Sequence, residues 1–220
     1  MAVLEQDPQM LLGEAGALQI AGENPLTIRD ESDASSVARN LVLRAQAGKP
    51  YAFEQLMVCC ERQVLCTATR ILHRSEDAKD AAQEVFLKLH RYLPRIKPEA
   101  VRTWLYRVTV TVCSDMAKKS SRVPTSSLED EPAREGTSVA DEQRIEAGIN
   151  LEEQRAILQD ALRALPFKER AALVLRDIEG LSTEEAARIL GSSAATVRSQ
   201  ISTARVKVRH YCERAMERTR

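Results

Sequence analysis

Aromatic side chains are scarce in this chain, at 4% of 220 residues, and glycine and proline number only eight each. That supply does not suit a sandwich or barrel, which needs β-branched and aromatic strands joined by frequent tight turns. No run of about 18 apolar residues occurs, so no membrane-spanning helix is expected. The first residues lack a basic stretch leading into an apolar one, so no secretory leader is read there. The cysteines are Cys59, Cys60, Cys66, Cys113 and Cys212. An odd count at irregular spacing is neither a disulfide framework nor, even with His73 added, a zinc-finger or zinc-ribbon pattern. A phosphate loop, a nucleophile elbow and a metalloprotease motif are all missing. These absences point to a reduced, soluble, cytoplasmic protein with no cofactor, no metal and no catalytic constellation.

Net charge is also lacking, since 32 basic residues balance 32 acidic ones. The balance hides an alternation. Residues 1–35 carry 1 basic and 7 acidic side chains, residues 36–120 carry 15 and 8, residues 121–153 carry 3 and 9, and residues 154–220 carry 13 and 8. Binding to phosphate needs local positive charge rather than a basic average. The two basic blocks are therefore candidates for nucleic-acid contact.

What the chain does have is helical periodicity, built largely from Leu, Ala, Arg, Glu and Gln. In residues 36–120 four helices are expected. The first spans Ser36–Gln46. One apolar stripe follows Phe53, Leu56, Met57, Cys60, Val64, Ala68 and Leu72, with Cys60 acting as a small hydrophobe. Another follows Ala78, Ala81, Ala82, Val85, Phe86 and Leu89, with Ser75 as its cap. The last follows Val101, Trp104, Leu105, Val108 and Val112. Residues 121–153 turn acidic and rich in Pro, Ser and Gly, as a linker does, with a helical possibility at 141–147. Stripes then resume through Leu158, Leu162 and Leu165, and through Ala171, Leu173, Val174 and Ile178. A final stripe carries Val197, Ile201, Ala204, Val206 and Val208. The expected fold is all-α: two small helical domains joined by a flexible acidic linker. The boundaries are a mobile acidic tail at 1–35 with a transient helix near Met10–Ile20, a first domain at 36–120, the linker at 121–151, a second domain at 152–213, and a tail at 214–220.

Three stretches carry chemistry. The first is a helix-turn-helix. Ser182 and Glu185 have the spacing of a capping box, Gly191 supplies the turn, and Ser193 can cap a longer basic helix. The outer face of that helix offers Thr196, Arg198, Ser199, Gln200, Ser202, Thr203, Arg205 and Lys207, residue types that read base edges or hold phosphates in a major groove. Arg198, nearer the helix start, is expected to read a base and Arg205 to anchor a phosphate. The second stretch places Asp77, Asp80, Glu84, Lys88 and Arg91 at helical spacing off the apolar stripe; physics alone reads it as a solvated face. The third mixes aromatics with cations, as single-strand binders do: Arg102, Trp104, Arg107, Thr111, Lys118 and Lys119. Trp104 by itself reads as a core residue.

In their order, these stretches resemble the sigma-70 family, and within it the extracytoplasmic-function group. The likeness rests on Arg44-Ala-Gln-Ala-Gly with Phe53-Glu-Gln-Leu, on Asp77-Ala-Lys-Asp-Ala-Ala-Gln-Glu-Val-Phe, and on Leu165-Pro-Phe-Lys-Glu-Arg followed by Gly180-Leu-Ser-Thr-Glu-Glu-Ala-Ala, Gly191 and Thr196-Val-Arg-Ser. It covers about residues 36–120 and 152–212. The resemblance implies a transcription initiation factor with core RNA polymerase and promoter DNA as partners. Asp77, Asp80, Gln83 and Glu84 would then meet the clamp helices of the beta-prime subunit. Arg95, Lys97, Arg102, Trp104, Arg107, Thr111, Lys118 and Lys119 would face the −10 element, with an unstacked base taken up near residues 95–101. The second domain would read the −35 element and touch the beta flap, and the linker would follow the RNA exit path. An anti-sigma protein is a further implied partner. The family often has Asn where Thr111 stands, and Arg where Gln200 and Thr203 stand. Two other readings remain at this point. A response regulator would show strand-helix alternation in its front half, and a helical adaptor would not need the basic blocks.

Overall fold

A computed structural model describes the backbone of residues 31–120 and 145–219, and the side chains from Ser35, from Glu153 and up to Glu217. The expected helix at Met10–Ile20 and the linker through residue 144 lie outside the described residues. Among those described, every regular element is a helix.

The first group holds α1 (Glu31–Gln46), α2 (Ala52–Leu72), α3 (Ser75–Tyr92) and α4 (Val101–Ser120), with short 3₁₀ turns at Leu93–Arg95 and Pro98–Ala100. α1 begins five residues before the expected start, inside the span read as tail. On α2 the buried positions are Ala52, Leu56, Cys60, Val64, Thr67, Ala68 and Ile71, steps of three and four that form one face. α3 buries Ala78, Ala81, Ala82, Val85 and Leu89. Ser75 is not the cap of α3. It is the first helical residue, and the cap position belongs to Arg74, whose side chain makes no capping hydrogen bond. The side chain of Gln46 closes the group by donating from Nε2 to the carbonyls of Leu93 and Ile96, both at 2.8 Å. Two carbonyls freed by the break between α3 and α4 are thereby satisfied.

The second group holds α5 (Ile145–Arg163), α6 (Phe167–Leu173), a π-helical turn (Val174–Ile178), α7 (Thr183–Leu190) and α8 (Ala194–Thr219). α8 runs on through the span expected to be a tail. Its buried positions are Val197, Ile201, Ala204 and Val208, while Val206, placed on the apolar stripe by pattern, is 65% exposed. Two residues beyond Ala204 is about 200° around a helix, which turns Val206 to the opposite side.

The two groups do not stand apart. α4 packs on α2 and α3 and also on α7, and α2 meets α5, α6 and the π turn. Their buried residues form one continuous cluster, from Ala38 to Val208.

Candidate nucleic-acid interfaces and the seam between the domains

The helix-turn-helix is fixed by local chemistry at each joint. The Ser182 backbone N–H donates to the Glu185 carboxylate at 2.9 Å, and the Glu185 N–H donates to Ser182 Oγ at 3.2 Å, so the capping box closes in both directions. The Ser182 hydroxyl also donates to that carboxylate, which holds Glu185 below the usual carboxylate range. α7 ends at Gly191 with φ +61°, a left-handed conformation open to glycine at little cost. Ser193 Oγ then accepts the Thr196 N–H at 3.1 Å and starts α8. Val197, fully buried, belongs to the same buried cluster as Ala186 and Ala187 of α7.

This arrangement leaves Thr196, Arg198, Ser199, Ser202 and Thr203 exposed along α8. The other expected DNA-facing residues are engaged differently. The Arg205 guanidinium donates from Nε and Nη2 to both carboxylate oxygens of Asp177, at 2.8 and 2.7 Å. Asp177 is only 7% exposed, and its hydrogen bonds hold Arg205 above the ordinary guanidinium value. Lys207 donates to both oxygens of Glu169, at 2.9 and 2.8 Å. Gln200 is half-buried, and its Oε1 has no hydrogen-bond partner among the described residues. Arg198 makes a looser contact, 3.7 Å to Glu184 of α7, with both side chains well exposed. Of the cations expected to face the −35 element, Arg198 thus has the weaker internal tie.

On α3, Asp80, Gln83 and Glu84 are exposed, Asp77 is half-buried, and Glu84 pairs with Lys88 one turn on. Leu87 lies beside them and is 68% exposed, the most exposed large aliphatic residue described. Pattern reading passed over Leu87 because a single leucine off the stripe carries no periodic signal.

The residues expected to face the −10 element divide. Arg95 and Lys97 are exposed on the turn before α4. Trp104 is half-buried, with its ring 6.4 Å from that of Tyr92. Arg107, Thr111, Lys118 and Lys119 are exposed further along. Trp104, Arg107, Thr111 and Lys118 repeat at three, four and seven residues and so share a side of α4. Arg102 lies apart from them, lining a cleft with Cys59, Cys60, Arg70, Tyr106 and Glu179.

That cleft belongs to the seam between the two helical groups. Glu179, at the end of the π turn, accepts from Arg70 Nη1 at 2.7 Å and from Tyr106 Oη at 3.1 Å. The wider turn sets this up. The Glu179 N–H reaches five residues back to the Val174 carbonyl, and Asp177 meets α8 while Glu179 meets α2 and α4. Burial and the Glu179 charge push the Tyr106 phenol well above its ordinary value. At the end of α2, His73 adopts a left-handed φ of +69°. Burial, then the positive charges of Arg170 and Arg163, hold its pKa down to about 4. Arg170 itself caps the end of α5 by donating to the carbonyls of Leu162, Arg163 and Leu165, and burial lowers its pKa. Of these seam residues only Arg102 is an expected contact residue; Cys59, Cys60 and His73 enter the sequence reading as a metal set that their spacing excludes, and Cys60 also as a small hydrophobe on its stripe.

Two sequence models of one family match the chain: Sigma-70 region 2 over residues 56–123, and Sigma-70, region 4 over residues 155–208. The ECF RNA polymerase sigma factor SigM of Mycobacterium tuberculosis is 34% identical over 81% of this chain and 84% of its own length. The chain belongs to the extracytoplasmic-function group of the sigma-70 family. The ECF RNA polymerase sigma-E factor of Escherichia coli is 35% identical over 75% of this chain and 88% of its own. The structure of CnrH in complex with the cytosolic domain of CnrY shares the fold, with a TM-score of 0.58 at 24% identity, covering 80% of this chain and 97% of that one. A sigma factor of Bartonella quintana, RpoE in complex with the anti-sigma factor NepR, matches with a TM-score of 0.56 at 21% identity over 74% and 98%. As a sigma factor, this chain directs RNA polymerase to promoters and is not an enzyme. Among the described residues no helix is long and apolar enough to cross a membrane.

Proposed function

We propose that the work of this sigma factor is divided among the three faces described above. The exposed row of α3, Asp80, Gln83 and Glu84 with half-buried Asp77 behind, docks on the clamp helices of the polymerase beta-prime subunit, and Leu87 supplies an apolar contact at the same place. The side of α4 bearing Trp104, Arg107, Thr111 and Lys118, with Lys119 next to it and Arg95 and Lys97 on the preceding turn, takes the −10 element. α8 enters the major groove of the −35 element with Thr196, Arg198, Ser199, Ser202 and Thr203, and its group also touches the beta flap. Residues 36–120 and 152–213 serve as the two functional domains. The protein acts in the cytoplasm, where its polymerase is. An anti-sigma protein is its expected antagonist, by analogy with the relative whose structure contains NepR.

The observation that carries the docking assignment is the α3 face. It is acidic, exposed, and carries the apolar Leu87 at its C-terminal end, yet it takes no part in the seam or the core. Leu87, 68% exposed, gives that row an apolar surface beside its charges. Asp80→Lys combined with Glu84→Lys should abolish co-purification with core polymerase while thermal unfolding stays within a degree or two of the parent. Retention on core polymerase by the double variant overturns the docking face.

A further inference from the structure

The cleft at the seam has a volume of about 290 Å³, and three of the five cysteines line it: Cys59, Cys60 and Cys66. Arg62, Arg70 and Arg102 line it too. Promoter or polymerase contact calls for none of these thiols. We propose that Cys59 is a thiol-modification site for small disulfides bearing carboxylates, and that the adduct wedges the two domains apart at the Arg70–Glu179 contact.

The two neighbouring thiols differ in kind. Cys60 is buried, and its thiol is held protonated by its neighbour and by burial. The adjacent Cys60 thiol, with help from the nearby Arg102 charge and against the cost of burial, brings the half-exposed Cys59 down to about 7. Cys59 therefore supplies the thiolate, which is the nucleophile in disulfide exchange. The arginines select the reagent: Glu179 offsets Arg70, and Arg62 and Arg102 leave the opening with a positive excess that favours an anion over a neutral molecule of similar size.

The step balances without an added oxidant. The Cys59 thiolate attacks one sulfur of the small disulfide, a new S–S bond forms as the old one breaks, and the displaced thiolate leaves with its electron pair and takes a proton from water. Neither neighbour can then displace the adduct. Cys59 and Cys60 are adjacent, with Cα atoms about 3.8 Å apart, short of the roughly 4.4–6.8 Å that a disulfide spans. Cys66 is seven residues along the same helix, about 10.5 Å away at 1.5 Å per residue. The adduct persists until an external thiol removes it. Arg70, Tyr106 and Glu179 line the same opening, so the adduct competes for space with the contacts that Glu179 makes to Arg70 and Tyr106 across the seam.

The test exposes the reduced full-length chain to oxidised glutathione and, in parallel, to the neutral bis(2-hydroxyethyl) disulfide, with sites assigned by fragment mass spectrometry. The expected result is an adduct on Cys59 forming at least ten-fold faster than on Cys66 or Cys212, with a rate midpoint near pH 7. Oxidised glutathione should gain on the neutral reagent relative to their ratio on the urea-unfolded chain. Arg102→Gln should erase that gain, and Cys59→Ser should abolish the fast phase. Modification spread evenly over the cysteines, or a native rate no faster than the unfolded one, overturns the site; this comparison needs no variant. Small-angle scattering should show a larger radius of gyration for the modified chain, reversed by dithiothreitol. An unchanged radius in a fully modified chain overturns the wedge.

Discussion

Helices α4 and α8 are both long and cation-bearing, and the sequence offered both to nucleic acid, yet the fold treats them differently. α8 buries Val197, Ile201, Ala204 and Val208, a single stripe at steps of four, three and four. The rest of its first half is free to face outward. α4 buries Val101, Leu105, Tyr106, Thr109, Val110, Val112 and Cys113, more than one stripe can hold. The reason is that α4 lies between its own domain and α7 of the other. A helix covered on one side keeps its polar residues together, whereas a helix covered twice divides them. Arg102 and Tyr106 go to the seam, while Trp104, Arg107 and Thr111 remain outside it.

The strongest way to break this comparison is at Leu105, fully buried in the cluster common to both domains. Leu105→Ala should cost about 2–5 kcal/mol, and chemical denaturation should show both domains losing stability together. If the second domain, followed by its own probe, keeps its midpoint, the double covering of α4 is not a stabilising feature.

Within α8 the contrast is between two arginines seven residues apart. Arg205→Ala strips a 7% exposed carboxylate of two hydrogen bonds. It should cost about 1–3 kcal/mol of stability before any effect on DNA is read. Arg198→Ala should leave thermal unfolding within about 0.5 kcal/mol and lower preference for a matched −35 duplex over a scrambled one by about 1–3 kcal/mol. Measuring both variants for unfolding and for duplex binding across a salt series separates the roles. Equal loss on matched and scrambled duplexes for Arg198→Ala removes its base-reading role.

At the seam, Glu179→Gln keeps the size of the side chain and removes the charge that Arg70 and Tyr106 meet. A loss of about 1–2 kcal/mol is expected, with faster amide exchange in the π turn than in α8. No change in exchange there would show that this contact does not hold the domains together.

A further contrast is a pH dependence. With its folded pKa lowered from 6.5 to about 4, His73 stays neutral where the unfolded chain already takes up a proton. Its contribution is therefore present above pH 6.5 and is lost as pH falls toward 4. The melting temperature should decline from pH 7 to pH 5, and His73→Asn, which tolerates the left-handed backbone, should flatten that decline. An identical slope in the variant assigns the pH dependence to other groups.

Much of this molecule was legible in the order of its residues. The Ser182–Glu185 box, the Gly191 turn and the Ser193 cap involve partners within a few positions of each other, so spacing alone exposes them. The buried faces of α2 and α3 follow the same logic, because one-sided burial leaves a periodic trace. Two local features differ from their pattern. The residue type of Ser75 suits a cap, but a cap also needs the right backbone, and the extended residue is Arg74. Val206 fits the composition of the α8 stripe, but its angle around the helix turns it to solvent.

The sequence by itself determined the helical class, the two basic regions, the helix-turn-helix and the family, because each rests on local propensity, helical period or motif order. Only the tertiary structure decided which cations remain available and which are tied to carboxylates, and that the cysteines of α2 open onto a cleft between domains. Arg70 and Glu179 are 109 residues apart along the chain, and Arg205 and Asp177 are 28 apart. No periodicity links positions so distant, because their meeting depends on how whole helices pack and on a π turn that directs two neighbouring carboxylates to different helices.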